Sequence, residues 1–169
     1  MKAALLCALA PRPRVLVMDE PFTGMDALVK DDLVRGLLGS SAAEGCTILL
    51  CSHDIGELEL LADWVGFLDH GTVRLSAPMD RVREEFTRVE VAMPDDRALG
   101  AIPPEWMSAE SAGRRMGFVL RADSHAAAER TVRARLGETA DIRLRDASLR
   151  EVFVALASQR VARPSVEAA

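Results

Sequence analysis

Two short apolar runs limit what this chain can fold into more than anything else in it. Residues 15–18 ("VLVM") and 47–51 ("TILLC") are continuous rather than alternating, and each gives way at once to polar residues, "DEP" and "SHD". Runs of that kind read as strands of a parallel sheet, buried on both faces. Between them Leu28, Val29, Leu33, Val34, Leu37 and Leu38 recur near helical spacing, and "SSAAEG" closes the segment. Strand, helix, strand over this length is a βαβ unit with a right-handed crossover. The carboxyl ends of parallel strands emerge on one edge, where ligands bind. Asp19 and Glu20 follow the first strand, and Ser52 and His53 follow the second. Two acids and an imidazole therefore share an edge although they are far apart in sequence.

An adjacent acid pair suits phosphate chemistry. One carboxylate can hold Mg²⁺, directly or through water, while its neighbour orients and deprotonates an attacking water. A histidine on the same edge can bond a terminal phosphate oxygen. Each residue has a plainer reading on its own. Asp, Glu and Pro commonly end strands, Asp26 suits the N-cap of a helix opening at Ala27, and a single His is most often a surface residue. In this order, with one βαβ unit between them, the residues argue for a site.

The 169 residues can hold one good domain or two small ones. With 49% apolar and 28% charged residues the chain is a folded protein rather than a disordered one. A formal net charge of −5 and the lack of a basic block give no nucleic-acid footprint, so no nucleic-acid partner is expected. Cys7, Cys46 and Cys51 show neither CxxC nor His-paired spacing and suit reduced thiols in the cytosol. No apolar run approaches the ~20 residues of a membrane span. The opening "MKAALLCALA" imitates a secretory leader, but its single Lys and short apolar run make a poor one. An Ala/Leu-rich helix ending before Pro11 and Pro13 is the better reading.

Beyond the second strand, Leu58, Leu61, Trp64 and Val65 predict another helix, and "FLDHGTVRLSAP" predicts a hairpin turning at Asp69-His70-Gly71. The character changes near Pro78. "MDRVREEF" reads as a short charged helix, and Val89, Val91 and Met93 alternate as a half-exposed strand. A turn at Gly113 joins "WMSAES" to "MGFVLRA", Ser124 caps a helix ending at Gly137, and "ADIRLRD" is a further strand. A capping box, Ser148 and Glu151, opens a last helix with Leu149, Val152, Phe153 and Leu156 on one face. The expected fold is α/β: a parallel sheet with helices over residues 1–80, then a small α+β domain over 81–160, then a flexible tail at 161–169. The second domain suits a ferredoxin-like βαββαβ plan with an added helix.

"VLVMDEPFTGMD" followed by "TILLCSHD" resembles the second half of the nucleotide-binding domain of ABC transporter ATPases. The first stretch is similar to a Walker B strand with its D-loop, the second to the switch-histidine strand, and "ALLCALAPRPR" to the helix and linker before Walker B. The resemblance makes this part a partial P-loop NTPase fold and implies ATP and Mg²⁺ as cofactors. It places Asp19 at the Mg²⁺-associated aspartate, acting through water, and Glu20 at the catalytic glutamate. It places Asp26 at the D-loop aspartate that reaches across an ATPase dimer, and His53 at the γ-phosphate histidine. Met25 stands where the family more often has Leu. The closing "SLREVFVALASQ" is similar to the accessory C-terminal domain on ATPase subunits of ABC-2-type exporters. The partners implied are a transmembrane permease and a second ATPase subunit, at the cytoplasmic face of the membrane.

The chain contains no GxxxxGK[ST] loop and no Gly-Lys pair. That loop supplies the amides and Lys that hold the phosphates. The family's LSGG-type signature is missing too, and Met1 stands where the residue after it would sit. The expectation is thus a truncated ATPase subunit, inactive by itself. The competing expectation is a non-catalytic regulatory or adaptor protein built on a residual half-domain. A DNA-repair ATPase is disfavoured, because no sustained heptads lead into or out of the domain.

Overall fold

Strands β1 (Val15–Asp19) and β2 (Thr47–Cys51) pair in parallel, with Val15 opposite Thr47 and Asp19 opposite Cys51. Helix α1 (Ala27–Glu44) makes the crossover that the sequence predicts, and helix α2 (Ile55–Leu61) follows β2. These elements come from a computed structural model that describes residues 7, 8, 10–92, 102–137 and 140–159. It divides into two compact units, Met1–Leu61 and Ala62–Ala169. The division falls ahead of the hairpin, whereas the sequence changes character near Pro78. Of the helix expected over residues 1–10, Cys7 and Ala8 are helical; residues 1–6 and 9 lie outside the described residues.

The first unit buries one face of its sheet. Leu16, Met18, Phe22, Leu33, Leu37 and Cys46 form its core, with Val34, Ile48 and Leu50 packed around them. The expectation that both faces of β1 and β2 are buried does not hold, because Val15, Val17 and Leu49 are 59%, 65% and 56% exposed. A lone helix can cover only one face of a two-stranded sheet. Helix α1 also outruns its expected end, continuing through "SSAA" to Glu44. Alanine is the best helix former and serine only mildly poor, so the helix stops at Gly45, which takes a left-handed φ of +64°.

The second unit opens with a hairpin of β3 (Trp64–Asp69) and β4 (Thr72–Pro78). His70 and Gly71 turn it at φ +46° and +76°, the paired positive values of a type I′ turn. Trp64 and Val65, expected on a helix, belong to β3 and pair with Pro78 and Ala77. Their helical spacing from Leu58 and Leu61 continues by coincidence. The aromatic and β-branched residues of "WVGF" pack on a pleated surface once β4 lies beside them.

Helix α3 (Met79–Glu85) leads into a four-stranded sheet of β5 (Phe86–Ala92), β6 (Met107–Ala112), β7 (Arg115–Arg121) and β8 (Asp141–Asp146). The strands lie in the order β6-β7-β5-β8, every pair antiparallel, which is the ferredoxin-like order. Met93 lies outside the described residues, as do residues 161–169. Helix α4 (His125–Leu136) covers one face. Its Ala128 and Val132 meet Val89, Val91, Met116, Phe118 and Leu120, and Trp106 stacks on Phe118 with ring centroids 4.2 Å apart. Ser124 caps α4 by accepting the Ala127 N–H, and Gly137 ends it.

Helix α5 (Leu149–Ser158) begins with the expected capping box and packs on β6 and β7. It buries Leu149, Val152, Ala155 and Leu156, while Phe153 is 40% exposed and rests on Phe67. Arg74 of β4 donates to the Leu156 and Gln159 carbonyls at 3.2 and 3.1 Å, satisfying groups that a helix end leaves open.

Candidate functional site

The parallel register brings Asp19 and Cys51 side by side, so both chains leave the sheet at the same edge. The Glu20 N–H donates to the Cys51 carbonyl at 2.9 Å and extends the ladder by one step. Glu20 then takes a left-handed φ of +46°. A non-glycine residue bears that conformation at a cost and commonly where a side chain must be aimed. Here the carboxylate meets the loop after β2. Its Oε1 accepts the backbone N–H of His53 at 2.8 Å, and its Oε2 lies 2.7 Å from His53 Nδ1. Thr23 Oγ1 also donates to Oε2, at 3.4 Å.

These bonds act on the charge of Glu20. The hydrogen bond from the His53 imidazole, foremost, holds its carboxyl below the usual carboxylate range; burial opposes it, and the His53 backbone N–H, the His53 charge and Thr23 add smaller lowering effects. An ionised carboxylate only accepts, so His53 Nδ1 carries the proton and Nε2 is left for another group. Both side chains are open to solvent, His53 at 79% and Glu20 at 38%. The structure thus joins Glu20 and His53, two of the residues singled out in the sequence.

Asp19 is exposed at the same strand end and its carboxylate makes no ion pair among the described residues. No three His, Cys, Asp or Glu side chains converge as a metal cage among the described residues. A lone free carboxylate fits Mg²⁺ that keeps most of its waters and takes its other ligands from a phosphate. Asp26 does what its plainer reading foresees: its Oδ1 accepts the Val29 N–H at 2.9 Å at the start of α1.

The supporting roles of three residues were not foreseen, although Ser52 was already placed at this edge. Thr23 lies three residues beyond Glu20 in the turn and reaches back to it. Ser52 Oγ accepts the Asp54 N–H at 3.1 Å and shapes the loop that carries His53. Lys30 on α1 pairs with Glu57 and lies 3.7 Å from Asp54, tying α1 to the start of α2. Its position four residues after Asp26, on a helix face opposite an acidic first turn, was the available signal.

No protein-family model matches the chain. The nitrate import ATP-binding protein NrtD of Synechococcus elongatus is 38% identical over 94 residues, covering 53% of this chain and 34% of NrtD. About half of this chain is homologous to ABC transporter ATP-binding proteins. The aliphatic sulfonates import ATP-binding protein SsuB of Ralstonia nicotianae is 36% identical over 98 residues, or 54% of this chain and 34% of SsuB. The ABC transporter ATP-binding protein YtrB of Bacillus subtilis is 27% identical over 93 residues, or 55% and 32%. A solved structure of cbiO1 from Clostridium perfringens, part of the ABC transporter complex cbiONQ, is 30% identical, with a TM-score of 0.44 over 48% of this chain and 32% of cbiO1. The chain spans about a third of the length of the curated relatives it matches. No described helix is long and apolar enough to cross a membrane.

Proposed function

We propose that this chain is part of the ATP-hydrolysing subunit of an ABC transporter, coupling hydrolysis to movement of a substrate through a membrane permease. The observation that supports it most is the contact of Glu20 with His53 at the shared strand edge, in a segment homologous to ATP-binding subunits. In this reading Glu20 is the general base toward water and His53 bonds the terminal phosphate. Asp19 holds Mg²⁺ through water, and Asp26 caps α1 while reaching toward a second ATPase subunit. Bound Mg²⁺ would neutralise charge on the phosphate oxygens.

The hydrogen bonds suggest how base and sensor work together. A carboxylate that accepts two N–H bonds from one residue has little affinity for a proton. Glu20 becomes an effective base when the His53 imidazole turns to another acceptor, and a phosphate oxygen is such an acceptor. His53 therefore binds phosphate and frees Glu20 in one movement. Export is the proposed direction, on the resemblance of "SLREVFVALASQ" to exporter accessory domains. The proposed location is the cytoplasmic face of the membrane, beside the permease. Residues 1–169 carry no phosphate loop, so this stretch alone is expected to bind and turn over ATP negligibly.

The same lack favours the second reading, an adaptor whose C-terminal unit binds a partner. Replacing Glu20 by Gln in the chromosomal copy separates the two. Loss of transport at unchanged protein level supports the ATPase reading, and undiminished transport supports the adaptor.

A further inference from the structure

The sheet face opposite α4 is indented by a cavity of about 380 Å³ beside Gly117, Ala92 and Ala112, all residues with little or no side chain. Arg88 reaches across it. Its guanidinium lies over Gly117, where a Cβ would collide with Nη2, so the glycine is what lets Arg88 lie down on the sheet.

Arg88 shares its anion with a second arginine. It stands directly opposite Arg145 on the neighbouring strand, and one carboxylate, Glu151, serves both. Arg145 takes Glu151 in a fork of 2.8 and 2.6 Å, and the Ser148 N–H and hydroxyl add two more bonds. Arg88 Nε lies 3.7 Å from Glu151 Oε1, within ion-pair reach but outside hydrogen-bond range, and is buried with no hydrogen-bond partner among the described residues. Two guanidinium groups sharing one carboxylate leave Arg88 with half an anion, and an anionic group bound in the hollow would supply the second through the part of the guanidinium that lines it.

The rest of the rim is not simply basic. Glu90 faces Arg143 across the strands, Arg115 and Asp141 flank Ala92, and Glu110 sits beside Gly117. A plain anion meets these carboxylates, and a plain cation meets the arginines. A molecule with both charges satisfies both sets. We propose that this hollow binds a small zwitterion of the amino-acid or short-peptide class, its carboxylate on Arg88 and its ammonium group toward Glu90 and Glu110. The proposal does not depend on the ATPase reading.

The test is an amide-resolved NMR titration of the 169-residue protein with glycylglycine, N-acetylglycine and glycinamide, each carried to about 10 mM, well past a millimolar Kd. The expected result is saturable movement of the amides of residues 88–92, 115–117 and 141–143 with glycylglycine. The two singly charged controls should bind at least about tenfold more weakly. Arg88→Met should weaken glycylglycine by about tenfold or more, and so should Glu90→Gln at an exposed position, should the first variant not fold. No saturable movement with glycylglycine would overturn the proposal and leave the face a solvated pattern of charges. Equal binding of N-acetylglycine would overturn it as well, in favour of a site for anions alone.

Discussion

Glu151 is the residue whose contribution to stability can be worked out most fully. Its carboxyl is lowered from 4.5 to about 2, first by the hydrogen bond from Arg145 and then by the Ser148 bonds and the Arg145 charge, against burial. Transferred in full to folding, that difference corresponds to about 3 kcal/mol. The side chain is 24% exposed, and screening by water brings the expected figure to about 1–2 kcal/mol. Glu151→Gln keeps an acceptor for Ser148 and removes the charge. Because the folded-state value is the lower one, the stabilisation is complete above about pH 4.5 and disappears as pH falls toward about 2. The variant should therefore lose about 1–2 kcal/mol at neutral pH, with Tm falling by about 4–8 °C per kcal/mol, and should approach the native protein in acid. Both tryptophans, Trp64 and Trp106, lie in the second unit, so urea unfolding followed by their fluorescence reads this effect. A deficit that is equal at neutral pH and near pH 3 would refute the reasoning, as would none at either.

Phe118→Ala removes a fully buried ring stacked on Trp106 and should cost about 3–5 kcal/mol in the same unfolding experiment. Lys30→Met leaves Glu57, whose side chain is only 12% exposed, without its cation. Amide exchange across α2 should then quicken by an amount matching about 2 kcal/mol, with exchange in the second unit unchanged. Val17→Thr shrinks the exposed apolar face of β1, and light scattering at rising concentration should show less self-association than in the native chain.

What the sequence made legible was local. The run "VLVM" and the run "TILLC" announced a parallel pair, and the polar residues after them had to meet at one edge. That Glu20 and His53 would share an edge followed from the strand direction. Their direct bond required the left-handed turn at Glu20, which no pattern of residue types reveals. Caps were legible because Ser124, Gly137, Ser148 and Glu151 act within their own turn of helix. Trp64 and Val65 were misread because a strand is decided by its partner, and their partners, Pro78 and Ala77, lie beyond the turn on β4. Burial of β1 was misread for the same reason, since an apolar run does not say how many layers will cover it. Arg88 and Gly117 carried no motif, because their relation exists only across two paired strands.

In the reading proposed above, Glu20 is the base of an ATPase. The decisive comparison is Mg-ATP hydrolysis by the native polypeptide, recovered from its own cells through its C-terminal segment, beside the same preparation carrying Glu20→Gln. Turnover should fall by about 10²–10⁴-fold while nucleotide binding persists. Turnover unchanged by Glu20→Gln would contradict that reading.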